Sequence, residues 1–238
     1  MKVNLNNLFF LDIETVSCVP SFEDLKVPIN NFWLKKAHLL GAQTEEAQKA
    51  LFFEKAGIFA EFGKIVTISA GWFQTSPEGK PILYVKGISH DEEQVLLQRF
   101  KELLDKFQFK NVQICGHNIK EFDIPYICRR MTVNHMPLPG LIDIAGKKPW
   151  EVNHIDTMEL WKFGDRKNYT SLDLLAHLFN IPSSKSIMQN HEVNHYYYIK
   201  KDLLSIQKYC NQDVVATARL FLALNFLPSV PDSSIVFV

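Results

Sequence analysis

Asp12 and Glu14 sit one residue apart at the end of an apolar run, Leu8-Phe9-Phe10-Leu11. Side chains at i and i+2 of a strand share a face, so the two carboxylates project together. Held that close they repel, and their pKa values rise unless a cation neutralises them. A hard divalent ion with oxygen ligands, magnesium or manganese, fits that need. Tyr209 and Asp213 form a second pair, four apart within a stretch from Lys201 to Phe226 whose apolar residues recur near helical spacing. Residues i and i+4 share a helix face, so the phenol and the carboxylate point at one place. Asp123 is the third acidic position. Followed by Ile124-Pro125, it reads as a helix N-cap with proline in the first turn, a role that does not exclude metal ligation. Each segment alone has an ordinary structural explanation: a strand end, a core tyrosine, a helix cap. Together they supply four carboxylates and a phenol, the parts needed to cleave a phosphodiester between two divalent cations.

The elements that must carry these residues follow from periodicity. A strand over Leu8 to Thr15 is followed by a largely helical insertion from about Ser21 to Ala60. Strands are expected at Ile65 to Phe73 and Ile82 to Lys86, joined by the turn Ser76-Pro77-Glu78-Gly79-Lys80. Asp91 then caps an amphipathic helix running to about Phe107, and Val112 to Cys115 is the next strand. A helix after Asp123, a loop from Pro137 to Pro149, a short strand near Ile155 and helices over Leu172 to Phe179 and Lys201 to Phe226 complete the order. This pattern predicts an α/β fold, a mixed β-sheet with helices on both faces, in a single domain.

At 238 residues and 47% apolar content the chain can bury a sizeable core. No apolar run approaches the ~20 residues of a membrane span, and nothing resembles a signal peptide. The cysteines Cys18, Cys115, Cys128 and Cys210 are scattered, as reduced thiols of a cytoplasmic protein would be. Lysine plus arginine (26) balance aspartate plus glutamate (26), which argues against an extended duplex-clamping surface and for a footprint of a few nucleotides.

The runs Asp12-Ile13-Glu14-Thr15, Gly116-His117-Asn118 leading into Phe122-Asp123, and Tyr209-x-x-x-Asp213 resemble the three motifs of DEDDy 3′–5′ exonucleases. More closely they resemble the proofreading exonuclease domain of family B DNA polymerases, in a stand-alone form. Glu61-Phe62-Gly63-Lys64-Ile65-Val66 resembles that family's second strand and Ser171-Leu172-Asp173-Leu174-Leu175 its penultimate helix, so the likeness runs from about Leu8 to about Leu224. It implies an RNase H-like fold and removal of nucleoside monophosphates from the 3′ end of single-stranded DNA. Two cations, Mg2+ or Mn2+, would be held by Asp12, Glu14, Asp123 and Asp213. The resemblance assigns Tyr209 to positioning the attacking water, and Asn118, Thr15 and Phe122 to contacting the substrate. A chain ending soon after the third motif carries no polymerase, so any proofreading would act in trans.

Other readings compete. An exoribonuclease on the same scaffold would differ only in admitting a 2′-hydroxyl. A module that holds 3′ ends without cleaving is disfavoured because every expected ligand is intact. His191-Glu192-Val193-Asn194-His195 matches the zinc-peptidase pattern, but it follows a polar stretch (Pro182-Ser183-Ser184-Lys185) and has no glutamate downstream to serve as a third ligand. Basic pairs stand at Lys35-Lys36, Arg129-Arg130, Lys147-Lys148 and Lys200-Lys201. Lys147-Lys148-Pro149-Trp150 is the best of them for strand contact, with packing of Trp150 equally expected. Phe32, Trp33, Phe52, Phe53 and Phe59 of the insertion are expected mainly in the core. The apolar tail Ile235-Val236-Phe237-Val238 could dock on its own fold or on a partner.

Overall fold

A computed structural model describes residues 4–107, 112–165, 169–183 and 188–238. Ser184 and Lys185, quoted above beside the histidine motif, lie outside the described residues. β1 (Leu8–Ser17) is the centre of a six-stranded sheet. It pairs antiparallel with β2 (Gly63–Thr75), which pairs antiparallel with β3 (Pro81–Ser89). On its other side β1 runs parallel to β4 (Gln113–Gly116), and β4 to the short β5 (Ile155–Asp156). The tail docks on its own fold. Ile235–Phe237 is β6, parallel to β3, giving the order β5-β4-β1-β2-β3-β6.

Between β1 and β2 lie α1 (Ile29–Leu39) and α2 (Glu45–Lys55), the expected helical insertion. α3 (Glu93–Asp105) follows β3, and α4 (Asp123–Val133) follows β4. α5 (Thr157–Lys162) and α6 (Leu172–Leu178) come after β5. One turn, α7 (Val193–His195), runs through the π-helical turn Tyr196–Lys200 to the long α8 (Leu203–Leu224).

Strand parity decides which helix meets which face. Phe9, Leu11 and Ile13 point to one side and bury against α3 and α4 residues such as Leu97, Phe100, Ile124 and Ile127. Leu8 and Phe10 point to the other and pack on Val214, Val215, Ala218 and Phe221 of α8. Asp12 and Glu14 have the parity of Leu8 and Phe10, so the sheet itself aims them at the α8 side. Gly71 lets that helix come close: a Cβ there would stand 2.7 Å from Val214 Cγ1. The α/β sandwich with helices on both faces thus agrees with the sequence expectation. Among the described residues, no helix is long and apolar enough to cross a membrane.

Two helix starts differ from their sequence readings. Asp91 does not cap α3; its carboxylate accepts from the Tyr197 hydroxyl (2.9 Å), and His90 Nδ1 takes the Glu92 amide instead (3.0 Å). Asp123 is already inside α4, behind Phe122 at the cap position. Its Oδ1 accepts from the Ile13 amide (3.1 Å), a contact across 110 residues made beside the bond from its own backbone amide. The insertion's aromatics divide. Trp33 and Phe52 are fully buried with Phe22 and Phe62, Phe59 packs beside them, Phe32 is exposed, and Phe53 turns elsewhere.

Candidate active site

A cleft of about 500 Å³ opens beside the end of β1 and gathers Asp12, Glu14, Thr15, Asn118, Phe122, Asp123, Tyr209 and Asp213. All eight residues singled out from the sequence therefore line one space. β1 brings Asp12, Glu14 and Thr15, α8 brings Tyr209 and Asp213 by its i, i+4 face, and the start of α4 with the loop before it brings Asp123, Phe122 and Asn118. The pairing register of β1 with β2 shifts between Glu14 and Thr15, a bulge beside the carboxylates of the kind that re-aims side chains.

The electrostatics are those of crowded acids. Burial pushes the Asp12 carboxyl well above the usual carboxylate range, and Asp213, Asp123 and Glu14 push it further. Asp123 is raised to about 7, chiefly by burial, although hydrogen bonds to its carboxylate pull the other way. Ligand atoms of Asp12, Glu14 and Cys210 lie within 4.8 Å of one another. The Cys210 thiol donates to Asp12 Oδ2 (3.2 Å) and leans on the Asp12 carbonyl (3.4 Å). Asp213 and Asp123 stand outside that tight trio while still acting on Asp12 electrostatically. An oxygen-rich donor set in which Asp12 and Asp123 resist ionisation fits a hard divalent cation, which removes the repulsion.

Tyr209 is 1% exposed and packs with Val16, Val66 and Ile206, a core tyrosine that also lines the cleft. Thr15 is occupied structurally: its hydroxyl donates to the Gly57 carbonyl (2.7 Å). The Phe122 ring leans on Tyr126, with centroids 5.4 Å apart. Asn118 has φ +61°, a left-handed conformation that asparagine tolerates better than most residues. Asp156 holds it there, accepting from the amides of Asn118 (2.9 Å) and Lys120 (3.2 Å) and capping α5 through Met158 N (2.9 Å). Among the described residues, Asn118 Oδ1 is buried with no hydrogen-bond partner.

In the cleft or directly beside it lie residues that sequence reasoning did not name as site residues. Cys210 could have been found, because i and i+3 on α8 place it beside Asp213. His117, 2.9 Å from Thr157 Oγ1 and 2.8 Å from Thr170 O, fixes the loop carrying Asn118, and burial lowers its pKa. Tyr169, 67% exposed, lines the cleft near enough to Asp123 for that carboxylate to help raise its phenol. Lys147, Lys148 and Trp150 are not among the lining residues. Trp150 is 77% exposed under the Lys148 ammonium, 5.4 Å from the ring centroid, so core packing does not apply. His191 lines the cleft, but His191 and His195 join no cluster of metal-ligating groups among the described residues. Asn194 between them is a structural pin, its Oδ1 accepting from Ser17 N (2.9 Å).

A family model described as "Predicted 3'-5' exonuclease related to the exonuclease domain of PolB" matches residues 58–232. A comparison with curated protein sequences gives no match. Among solved structures, the family B DNA polymerase from the hyperthermophilic archaeon Pyrobaculum calidifontis is similar, with a TM-score of 0.51 and 14% identity. The match covers 91% of this chain and 24% of the polymerase, so the chain spans about a quarter of that protein. At this identity the likeness is one of fold, the RNase H-like arrangement.

Proposed function

The chain belongs to the family of predicted 3′–5′ exonucleases related to the exonuclease domain of PolB, and from that premise we propose that it hydrolyses single-stranded DNA from the 3′ end in DEDDy fashion, releasing nucleoside 5′-monophosphates. One observation carries this reading: three segments distant in sequence bring Asp12, Glu14, Asp123, Asp213 and Tyr209 to a single cleft. There Asp213, Asp123 and Glu14 disfavour the charge of the buried Asp12.

Asp12, Glu14 and Asp213 would hold one Mg2+ or Mn2+ ion, and Asp12 with Asp123 a second. Bound there, the ions supply charge neutralisation at the scissile phosphate and acidify water. The chain's own groups do the rest. Tyr209 orients the attacking water through its phenol; with an ordinary pKa near ~10 a tyrosine is a poor base at neutral pH, so positioning is its role. Asn118, its backbone held by Asp156, offers its carboxamide to the terminal nucleotide. Water adds to phosphorus as the P–O3′ bond breaks, and one of its protons ends on the departing 3′-oxygen.

A time course with 5′-labelled and 3′-labelled DNA and RNA oligonucleotides, in magnesium, manganese or chelator, tests this. The expected result is laddering of 5′-labelled DNA from its 3′ end that stops in chelator. Cleavage that persists in chelator, or that starts from the 5′ end, overturns the proposal. Faster laddering of RNA than of DNA would replace the substrate.

A further inference from the structure

Resting on the nuclease reading of the cleft, we propose that the end of the helical insertion, Phe53 to Ile58, is the wall along which the substrate strand lies, with Ile58 against a base or sugar and Lys55 on a backbone phosphate. Phe53, Glu54, Lys55, Gly57 and Ile58 line the same cleft as the carboxylates. Their position is fixed from the site side. The Gly57 carbonyl accepts from Thr15 Oγ1 (2.7 Å) and from the Tyr126 hydroxyl (2.9 Å), while Asn194 Nδ2 donates to the Phe53 carbonyl. Gly57 is needed for this approach, since a Cβ there would stand 3.1 Å from the Val16 carbonyl carbon. Behind the wall, Trp33 and Phe52 give the insertion its own core. Ile58 is nonetheless 49% exposed at the cleft, an apolar side chain left at the place where a strand must enter.

Charge points the same way. The described lining residues include Asp12, Glu14, Glu54, Asp123, Asp173 and Asp213, and Lys55 is the one lysine or arginine among them. A chain of phosphates next to so many carboxylates needs a cation beyond the reacting centre, and apolar or aromatic surfaces hold bases without regard to sequence. The family model matches from residue 58, so α1, α2 and most of this wall lie outside the matched region.

The test compares wild type with the Lys55→Ala/Ile58→Ala double variant, both side chains lying at the surface. Anisotropy of a short 5′-fluorescein-labelled single strand, DNA and RNA in separate arms with calcium present, reads binding without requiring turnover. Hydrolysis of the p-nitrophenyl ester of thymidine 5′-monophosphate reads the site without an upstream strand. The expected result is binding of the labelled strand weakened about fivefold or more, with hydrolysis of the small ester unchanged. Equal binding by variant and wild type overturns the wall, as does absence of strand binding by wild type. Wild-type binding with no hydrolysis of either substrate, in magnesium or manganese, refutes the nuclease reading instead.

Discussion

Replacing Asp123 by asparagine should stabilise the metal-free protein, and more so as pH rises. Burial raises Asp123 to about 7, against about 3.9 in an unfolded chain. Because the folded value is the higher one, the folded state binds the extra proton between about pH 4 and pH 7. Stability owed to this group falls as pH rises through that window and levels off above it. A difference of about three pH units at ~1.4 kcal/mol each puts the penalty near 4 kcal/mol at about pH 8, and near 2 kcal/mol at about pH 5.5. Asparagine removes the charge and keeps an acceptor for the Ile13 amide. For a chain of 238 residues, about 2–4 °C of Tm per kcal/mol predicts a gain of roughly 8–16 °C at about pH 8, and half that at about pH 5.5.

The assay is thermal denaturation in chelator, variant against wild type at each pH. Taking the difference cancels His154, whose pKa burial depresses to about 4. That histidine acts with the opposite sign: its contribution is lost as pH falls through the range between its ordinary value and 4. Adding manganese should raise the wild-type Tm more at the higher pH, where the carboxylates are ionised at a cost the cation removes, and should raise the variant's less. A variant no more stable than wild type at about pH 8, or a gap that does not shrink with acidification, would refute the picture of a desolvated carboxylate cluster.

Asp213→Ala and Asp12→Ala should each abolish hydrolysis of a DNA oligonucleotide, whereas Tyr209→Phe should leave activity about 10- to 100-fold down, as single-turnover rates can check. Cys210→Ala removes the donor to Asp12 Oδ2 and should lower kcat by less than about tenfold. Cys210→Ser should preserve kcat, because the hydroxyl still donates. Arg130 grips Glu93 with Nε and Nη2 (2.9 and 2.6 Å) and the Ala60 carbonyl with Nη1 (2.8 Å). Arg130→Met strands the buried Glu93 carboxylate and should cost about 3–5 kcal/mol in denaturant unfolding. Reversing both charges would show whether the pair or its surroundings matter.

What could be read in the sequence was whatever depends on local periodicity. Alternation along Leu8-Phe9-Phe10-Leu11 placed Asp12 and Glu14 on a common face, and helical spacing did the same for Tyr209 and Asp213. Both are properties of one element, and the sheet and α8 keep them. Asp91 and Asp123 show where that logic stops. Each has the residue type and position of a cap, yet each carboxylate also accepts from a distant donor, the Tyr197 hydroxyl or the Ile13 amide. An N-cap contributes ~1 kcal/mol, so a buried tertiary hydrogen bond can outweigh it. For Asp123 that contact has a consequence. Anchored on the strand that carries Asp12 and Glu14, its carboxylate is held beside theirs. The same reasoning explains why the cleft wall was not legible. Phe53 and Ile58 have no periodic signature of a binding surface, and neighbouring Phe52 is core. The fastening of Gly57 to Thr15 and Tyr126 and of Phe53 to Asn194 turns the end of the helical insertion toward the carboxylates.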